Sequence, residues 1–150
     1  MANRYAATGK QTPNTTTYKT ILQITGAATF RPEVYDLMFS TEGTPADNDV
    51  TYGCQRTTAD GSDTAVTPEP LDPADPSSKM TCGEDASSEP TEESTIPILE
   101  VGVHQRGTFR WVAAPGGEMI IAAVTANGIA TQSKSSAFTG ITLCTAHWEE

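Results

Sequence analysis

The side chains able to do chemistry are few and scattered along 150 residues. The two histidines, His104 and His147, are far apart and do not form an H-x-x-x-H pair. The three cysteines, Cys54, Cys82 and Cys144, contain no C-x-x-C. An odd count at such spacing argues against a disulfide framework and against a zinc knuckle. They read as small buried hydrophobes, with Cys82, in an acidic stretch, expected to be the most exposed. Asp47-Asn48-Asp49 begins like a calcium loop, but Tyr52 stands where that loop needs its turning glycine. An Asx-type turn accounts for it better. Gly9-Lys10-Gln11 is not a phosphate loop, because Arg4 holds the place of the first glycine and Gln11 follows the lysine. There is no G-x-S-x-G elbow. Carboxylates are plentiful, but no pair is framed by apolar sequence that would raise one pKa. The sequence therefore predicts no catalytic residue, no cofactor and no metal.

The charge is more informative. Nine Lys and Arg against nineteen Asp and Glu give a formal net charge of −10. Residues 57–95 hold ten of the acids and one base, Lys79, so that segment alone carries −9. The first thirty residues contain Arg4, Lys10 and Lys19 and no acid, a balance of +3. Such a polyanion is unsuited to nucleic acid, whose affinity rests on Lys and Arg neutralising phosphates. An acidic membrane surface is disfavoured for the same reason. The longest apolar run, residues 119–124, is far below the ~20 residues that span a bilayer. The start, Met1-Ala2-Asn3-Arg4-Tyr5, lacks the apolar stretch of a signal peptide. A cytosolic product, or one released without the general secretory route, is the expectation.

The elements that would position these residues read as strands. Residues 18–25 alternate Tyr18, Leu22 and Ile24 against Lys19, Gln23 and Thr25. Residues 33–41 place Tyr35, Leu37 and Phe39 opposite Asp36 and Ser40, and residues 50–57 alternate Val50, Tyr52 and Cys54 against Thr51, Gly53 and Gln55. These two runs are expected to be antiparallel neighbours joined by a longer loop. Further strands are predicted over 96–104, 108–113, 118–124, 129–132 and 138–148, with turns at 114–117 and Asn127-Gly128. Residues 1–17 read as an extended polar arm, a composition that also fits a frayed terminus. Residues 57–95 contain five of the ten prolines and no aromatic residue, too little to build a core. They read as a loop insertion, with one helical turn at 71–75 led by Asp72 and Pro73. Seven or eight short strands with Pro and Gly turns predict an all-β fold. It is an antiparallel β-sandwich, jelly-roll-like, formed by residues 18–150, with a long Pro- and acid-rich insertion and an N-terminal arm.

Three segments carry a resemblance: residues 44–48 (Thr-Pro-Ala-Asp-Asn), residues 71–76 (Leu-Asp-Pro-Ala-Asp-Pro), and residues 105–118 from Gln105-Arg106-Gly107-Thr108-Phe109-Arg110-Trp111 to Glu118. Over roughly residues 30–130 the chain resembles the small β-sandwich decoration, or cement, proteins that coat the heads of tailed bacteriophages. The resemblance implies a virion component on the outer capsid surface, made in the host bacterial cytoplasm. It implies a homotrimer or homodimer that binds the major capsid protein and has no enzymatic activity. Two alternatives stand beside it: another virion part, such as a neck, tail or fibre-associated module, and a carbohydrate-binding β-sandwich.

Six residues are expected at interfaces: Arg4, Tyr5 and Lys10 in the arm, Arg106 and Arg110 in the 105–118 segment, and Trp148 near the C-terminus. Aromatic residues and Arg are the common anchors of interfaces. In strand alternation Phe109 and Trp111 share one face and read as core, which leaves Arg110 pointing the other way. Trp148 reads as either a lid on the core or a subunit contact. The arm is expected to dock on an acidic shell or on a neighbouring subunit. The insertion is expected to cover a sandwich edge or an adjacent protomer, or to hang in water.

Overall fold

The computed structural model describes residues 2–12, 15–44 and 46–150. Thirteen strands are formed: β1 (Arg4–Gln11), β2 (Lys19–Thr25), β3 (Glu33–Glu42), β4 (Asp49–Ala59), β5 (Ser62–Val66), β6 (Glu69–Pro70), β7 (Thr81–Ser88), β8 (Thr91–Glu92), β9 (Leu99–His104), β10 (Phe109–Val112), β11 (Met119–Ile120), β12 (Gly128–Lys134) and β13 (Ile141–Glu149). They make two antiparallel sheets packed face to face, with no helix among the described residues, as the composition predicts. The first sheet runs β10-β3-β13-β1-β6, with β11 also on β3; the second runs β5-β7-β2-β12-β4-β8, with β9 also on β4.

The core lies between the sheets. Leu37, Phe39, Cys144, Ala146 and Trp148 enter it from the first sheet, and Leu22, Ile24, Tyr52, Cys54 and Ile129 from the second, all essentially inaccessible. Phe39 meets Tyr52 across the interface with ring centroids 4.9 Å apart. Tyr5 stacks on Trp148 at 6.1 Å.

Several segments differ from the sequence expectation. Residues 4–11 are a full strand, paired to β13 from Arg4↔Glu149 to Gln11↔Thr142. Its pattern is a clean alternation, with Tyr5, Ala7, Gly9 and Gln11 buried against Arg4, Ala6, Thr8 and Lys10. Apart from Tyr5 the buried set is small or polar, so it carries no hydrophobic signal. Gly9 is required there, because a Cβ would lie 2.5 Å from the Ile21 carbonyl oxygen where β1 crosses β2. The expected arm therefore shrinks to the few residues around β1, of which Met1, Pro13 and Asn14 lie outside the described residues.

The acidic segment is not a loop. It completes β4 and supplies β5, β6, β7 and β8, contributing to both sheets. β6 pairs Pro70 with Tyr5 at the edge of the first sheet. Residues 71–75 form a turn rather than a helix. In it the Asp72 carboxylate accepts from the Ala74 N–H, and the Asp75 N–H donates to the Asp72 carbonyl. β3 and β4 are not neighbours but lie in opposite sheets. The strand expected over 118–124 stops after Ile120, and Val124 is exposed. Cys82 is buried, like Cys54 and Cys144.

The second sheet has an unusual outer face. Gln23, Gln55, Thr57 and Gln132, which alternation assigns to solvent, are each at most 3% exposed, and so is Thr20, which the register shift between Thr131 and Gln132 sets opposite Gln132. The reason is topological. β4 and β5 stand at opposite sides of the sheet, and so do β7 and β8. The ends of these strands, with the short connections between them, cross over β2 and β12 and roof those strands. The crossing acids are matched to the donors beneath. Asp60 accepts from Gln23 Nε2 and Thr25 Oγ1, Glu89 from the Thr20 N–H and hydroxyl, and Glu92 from Gln132 Nε2. Ionised carboxylates only accept, so they suit a layer rich in amide and hydroxyl donors.

Candidate interaction surface

With one outer face roofed, the outer face of the first sheet is the broad surface left open. Its residues follow from the register. Val112, Asp36, His147 and Ala6 form one row across β10, β3, β13 and β1; Arg110, Met38, Thr145 and Thr8 form the next; Ser40, Leu143 and Lys10 form a third. Arg4 and Glu149 are paired at its end.

Three of the six predicted interface residues are brought together here. Arg4, Lys10 and Arg110 all project from this face, with side chains 63%, 53% and 58% exposed. Tyr5 and Trp148 are not available to a partner. They are 1% and 0% exposed, because even-spaced positions of β13 and odd positions of β1 face the opposing sheet. Tyr5 donates its hydroxyl to the Pro76 carbonyl, and the Trp148 indole N–H donates to Glu150. Both lock residues of the acidic segment or the chain end onto the core. Arg106 sits in the loop after β9, outside the strands of that face, with Nη2 3.4 Å from Asp47. The conspicuous residue of its segment is Gln105. It is 4% exposed and pins the β3–β4 connection by accepting from the Ala46 N–H and donating to the Thr44 carbonyl. Phe109 and Trp111 pack against the core, as expected.

The centre of the face is a charge cluster that sequence reasoning did not assemble. Asp36 is 3% exposed although it lies on the outer surface. Arg110 covers it with a two-pronged contact, Nε to Oδ1 at 2.9 Å and Nη2 to Oδ2 at 2.6 Å. His147 Nδ1 lies 3.0 Å from Oδ2. The Arg110 hydrogen bonds hold the Asp36 carboxyl below its ordinary range; burial opposes this, and the His147 contact adds to it. The same pair raises the Arg110 pKa. A bulge in β3 makes room: the β13 register shifts between His147 and Trp148, so Tyr35 is the extra residue. Its ring stacks on His147 at 6.2 Å, and the Arg4 guanidinium lies 6.0 Å from the same ring. Burial pushes the Tyr35 phenol up. Only the alternation of Asp36 and Arg110 against core positions hinted at this group.

The acids of this face are largely answered. Asp36 pairs with Arg110, Glu149 with Arg4 at 3.4 Å, and Glu42 with Lys10 at 3.6 Å. Between them lie Met38 and Val112, 37% and 56% exposed. The result is a flat, near-neutral surface with apolar spots and three outward cations. Net negative charge collects on the other side, where Asp60, Asp63, Glu89, Glu92 and Glu93 lie on or beside the roof. Burial, with Asp60 beside it, raises the Asp63 carboxyl.

The histidines are apart in space as well as in sequence. His147 belongs to the first sheet; His104 ends β9 in the second and lies 3.7 Å from Asp47. Among the described residues no group of three His, Cys, Asp or Glu side chains is placed to hold a metal ion. A cleft of about 410 Å³ at one end of the sandwich is lined by Arg31, Arg56, Glu93 and Glu118. Arg56 donates there to the Ile120 carbonyl, tying the two sheets together. No family model and no curated protein sequence matches the chain.

Proposed function

We propose that this protein is a structural component of a bacteriophage particle, without catalytic activity, that decorates and stabilises the outer capsid surface. In this reading the open face of the first sheet lies on the major capsid protein. The roofed, acidic face of the second sheet turns to water, and neighbouring copies touch at their sides. The observation that supports it best is the contrast between the two outer faces. One is closed by the protein's own acidic crossings. The other is flat, nearly charge-balanced and dotted with exposed Met38 and Val112 among Arg4, Lys10 and Arg110. Arg and apolar anchors ringed by polar groups suit a protein partner. The resemblance of residues 44–48, 71–76 and 105–118 to decoration proteins points the same way.

The test is occupancy of particles. The wild-type chain should be present in copies comparable with the major capsid protein. A Met38→Glu/Val112→Glu double variant should fold normally by circular dichroism and fail to load. The same two charges placed at Ser62 and Ser87, exposed positions of β5 and β7, should leave loading unchanged. A few copies per particle would assign the chain to the neck or tail instead. Normal loading of the double variant would remove this face from the contact.

A further inference from the structure

Among the described residues β9 is a long edge that is not blunted; the outer side of β1, which β6 covers only at Tyr5 and Ala6, is capped further on by Glu84 and Asp85, which accept from the Lys10 and Thr12 N–H groups. Natural sheets protect their edges with short strands, prolines, charges or bulges. Here β6 is two residues long and contains Pro70, β10 is four residues long and carries Arg110, and β5 is polar and joins β7 with a register break. β9 spans six residues, Leu-Glu-Val-Gly-Val-His, in unbroken register with β4 from Asp49↔His104 to Cys54↔Leu99. The Gln105 N–H donates to the Asn48 carbonyl. In an antiparallel ladder this places the odd residues Leu99, Val101 and Val103 in hydrogen-bonded pairs with β4. Glu100, Gly102 and His104 then direct their backbone groups outward.

Two further observations point to a partner strand. Gly102 is unexplained within one chain: a Cβ there would meet nothing within 4 Å, and its φ is not in the left-handed region. Glycine weakens a strand interior and marks close approach of another backbone. Ile96 and Ile98, which lead into β9, are 74% and 42% exposed. Leu99, Val101 and Val103 are only partly buried against the core.

We infer that β9 pairs antiparallel with β9 of a second copy about a two-fold axis at Val101, forming an isologous dimer. The register is self-consistent. With Val101 opposite its symmetry mate, Leu99 faces the mate of Val103 on the core side. Glu100 faces the mate of Gly102 on the outer side. The outward N–H and C=O groups of Glu100 and Gly102 then meet as hydrogen-bonded pairs, as the alternation requires. Glycine opposite Glu100 leaves that side chain in its place, where Tyr18 donates to it and Lys134 lies 3.6 Å away. The Lys134 charge also softens repulsion between the two Glu100 carboxylates. Each second sheet continues into the other, and both edges disappear. This rests on the self-association part of the proposed function and is independent of the capsid contact.

The full-length chain tests it. Sedimentation should show a mass twice 15.9 kDa at high protein concentration, falling with dilution. Gly102→Pro removes an outward N–H and leaves the β4 ladder intact. It should give a monomer with an unchanged far-ultraviolet spectrum, whereas Gly102→Ala should remain a dimer. Val101→Cys should form an intermolecular disulfide with oxidised glutathione. A non-hydrogen-bonded pair on a two-fold axis brings its Cα atoms to about 4.5 Å, within disulfide range. Val103→Cys, facing Leu99 of the mate, should not. A chain that stays monomeric, or a dimer that Gly102→Pro leaves intact, overturns the inference. So does equal cross-linking of the two cysteine variants. Capsid loading is a separate readout, so failure there does not bear on this contact.

Discussion

Replacing Asp36 by asparagine removes the centre of the open face while keeping its shape. Asp36 accepts two hydrogen bonds from Arg110 and faces His147, and its side chain is 4% exposed. Each hydrogen bond to a charged group contributes about 1.5–3 kcal/mol when both partners are buried. Arg110 is 58% exposed, so water reclaims much of its charge and the loss is discounted strongly. A net cost of about 1–2 kcal/mol is expected at neutral pH. At this chain length that corresponds to about 2–8 °C in Tm. The pH dependence is the sharper readout. Arg110 and His147 depress the folded-state pKa of Asp36 below that of an ordinary carboxylate. A depressed carboxylate contributes stability above its unfolded pKa, and that stability is lost as pH falls through the folded value. Urea titrations of wild type and D36N from pH 7 to about pH 2 should therefore show a gap that is constant near neutrality and closes below about pH 4. A gap that persists undiminished in acid would refute the electrostatic account. Arg110→Lys should retain only part of that stability, because an ammonium cannot make the two-pronged contact.

Gly9→Ala should destabilise by about 1–3 kcal/mol or more, since a Cβ 2.5 Å from the Ile21 carbonyl oxygen forces β1 away from β2; a thermal melt checks it. Asp60→Ala leaves the Gln23 amide and Thr25 hydroxyl beneath the roof without their acceptor. It should speed amide hydrogen exchange around residues 60–62 by roughly tenfold or more, at about 1–3 kcal/mol for the unpaired groups. The three cysteines are buried, and burial pushes the Cys144 thiol up to about 12 and those of Cys54 and Cys82 higher still. None should react with Ellman's reagent in the native protein at pH 8, and all should react in denaturant; prompt labelling of Cys82 would place it back at the surface.

Fold class was legible because most core strands announce themselves by aromatic and aliphatic alternation. Residues 33–42 and 141–149 are of this kind, with Leu37 and Phe39 or Cys144 and Trp148 on the buried side. β1 was not legible, because its buried positions include Ala7, Gly9 and Gln11, which fit only since the opposing strand comes very close. β7 was hidden similarly: Cys82, Gly83 and Ala86 are its buried residues, set among Thr, Glu, Asp and Ser. The pairing of β3 and β4 was misassigned because chain proximity favours a hairpin, whereas the connection held by Gln105 carries the chain to the other sheet. Of the candidate site, Arg110 was legible from strand alternation, and Arg4 and Lys10 only as the charges of a polar arm. Asp36 and His147 were not, because β3 and β13 meet through a bulge that no local pattern reveals.

The acidic segment changes meaning once its path is known. A run of carboxylates with little apolar content would ordinarily stay in solvent. Here it is drawn over the second sheet by strand order, and the sheet meets it with Gln and Thr rather than with Leu and Val. An apolar outer face under the same crossings would leave the backbone and carboxylates of the roof without donors and would cost the desolvation of each. A Gln and Thr face under no roof would be an ordinary solvated surface. The two compositions are therefore complementary, and neither is interpretable alone. The same match explains why the negative charge can be concentrated without splitting the domain. Asp60, Glu89 and Glu92 each contact a donor on β2 or β12, and Glu89 also lies 3.3 Å from Lys19. Repulsion among the roof acids is offset locally, and the first sheet stays close to neutral. Segregation of charge onto one side then follows from strand order, and it leaves the opposite face free to meet a partner.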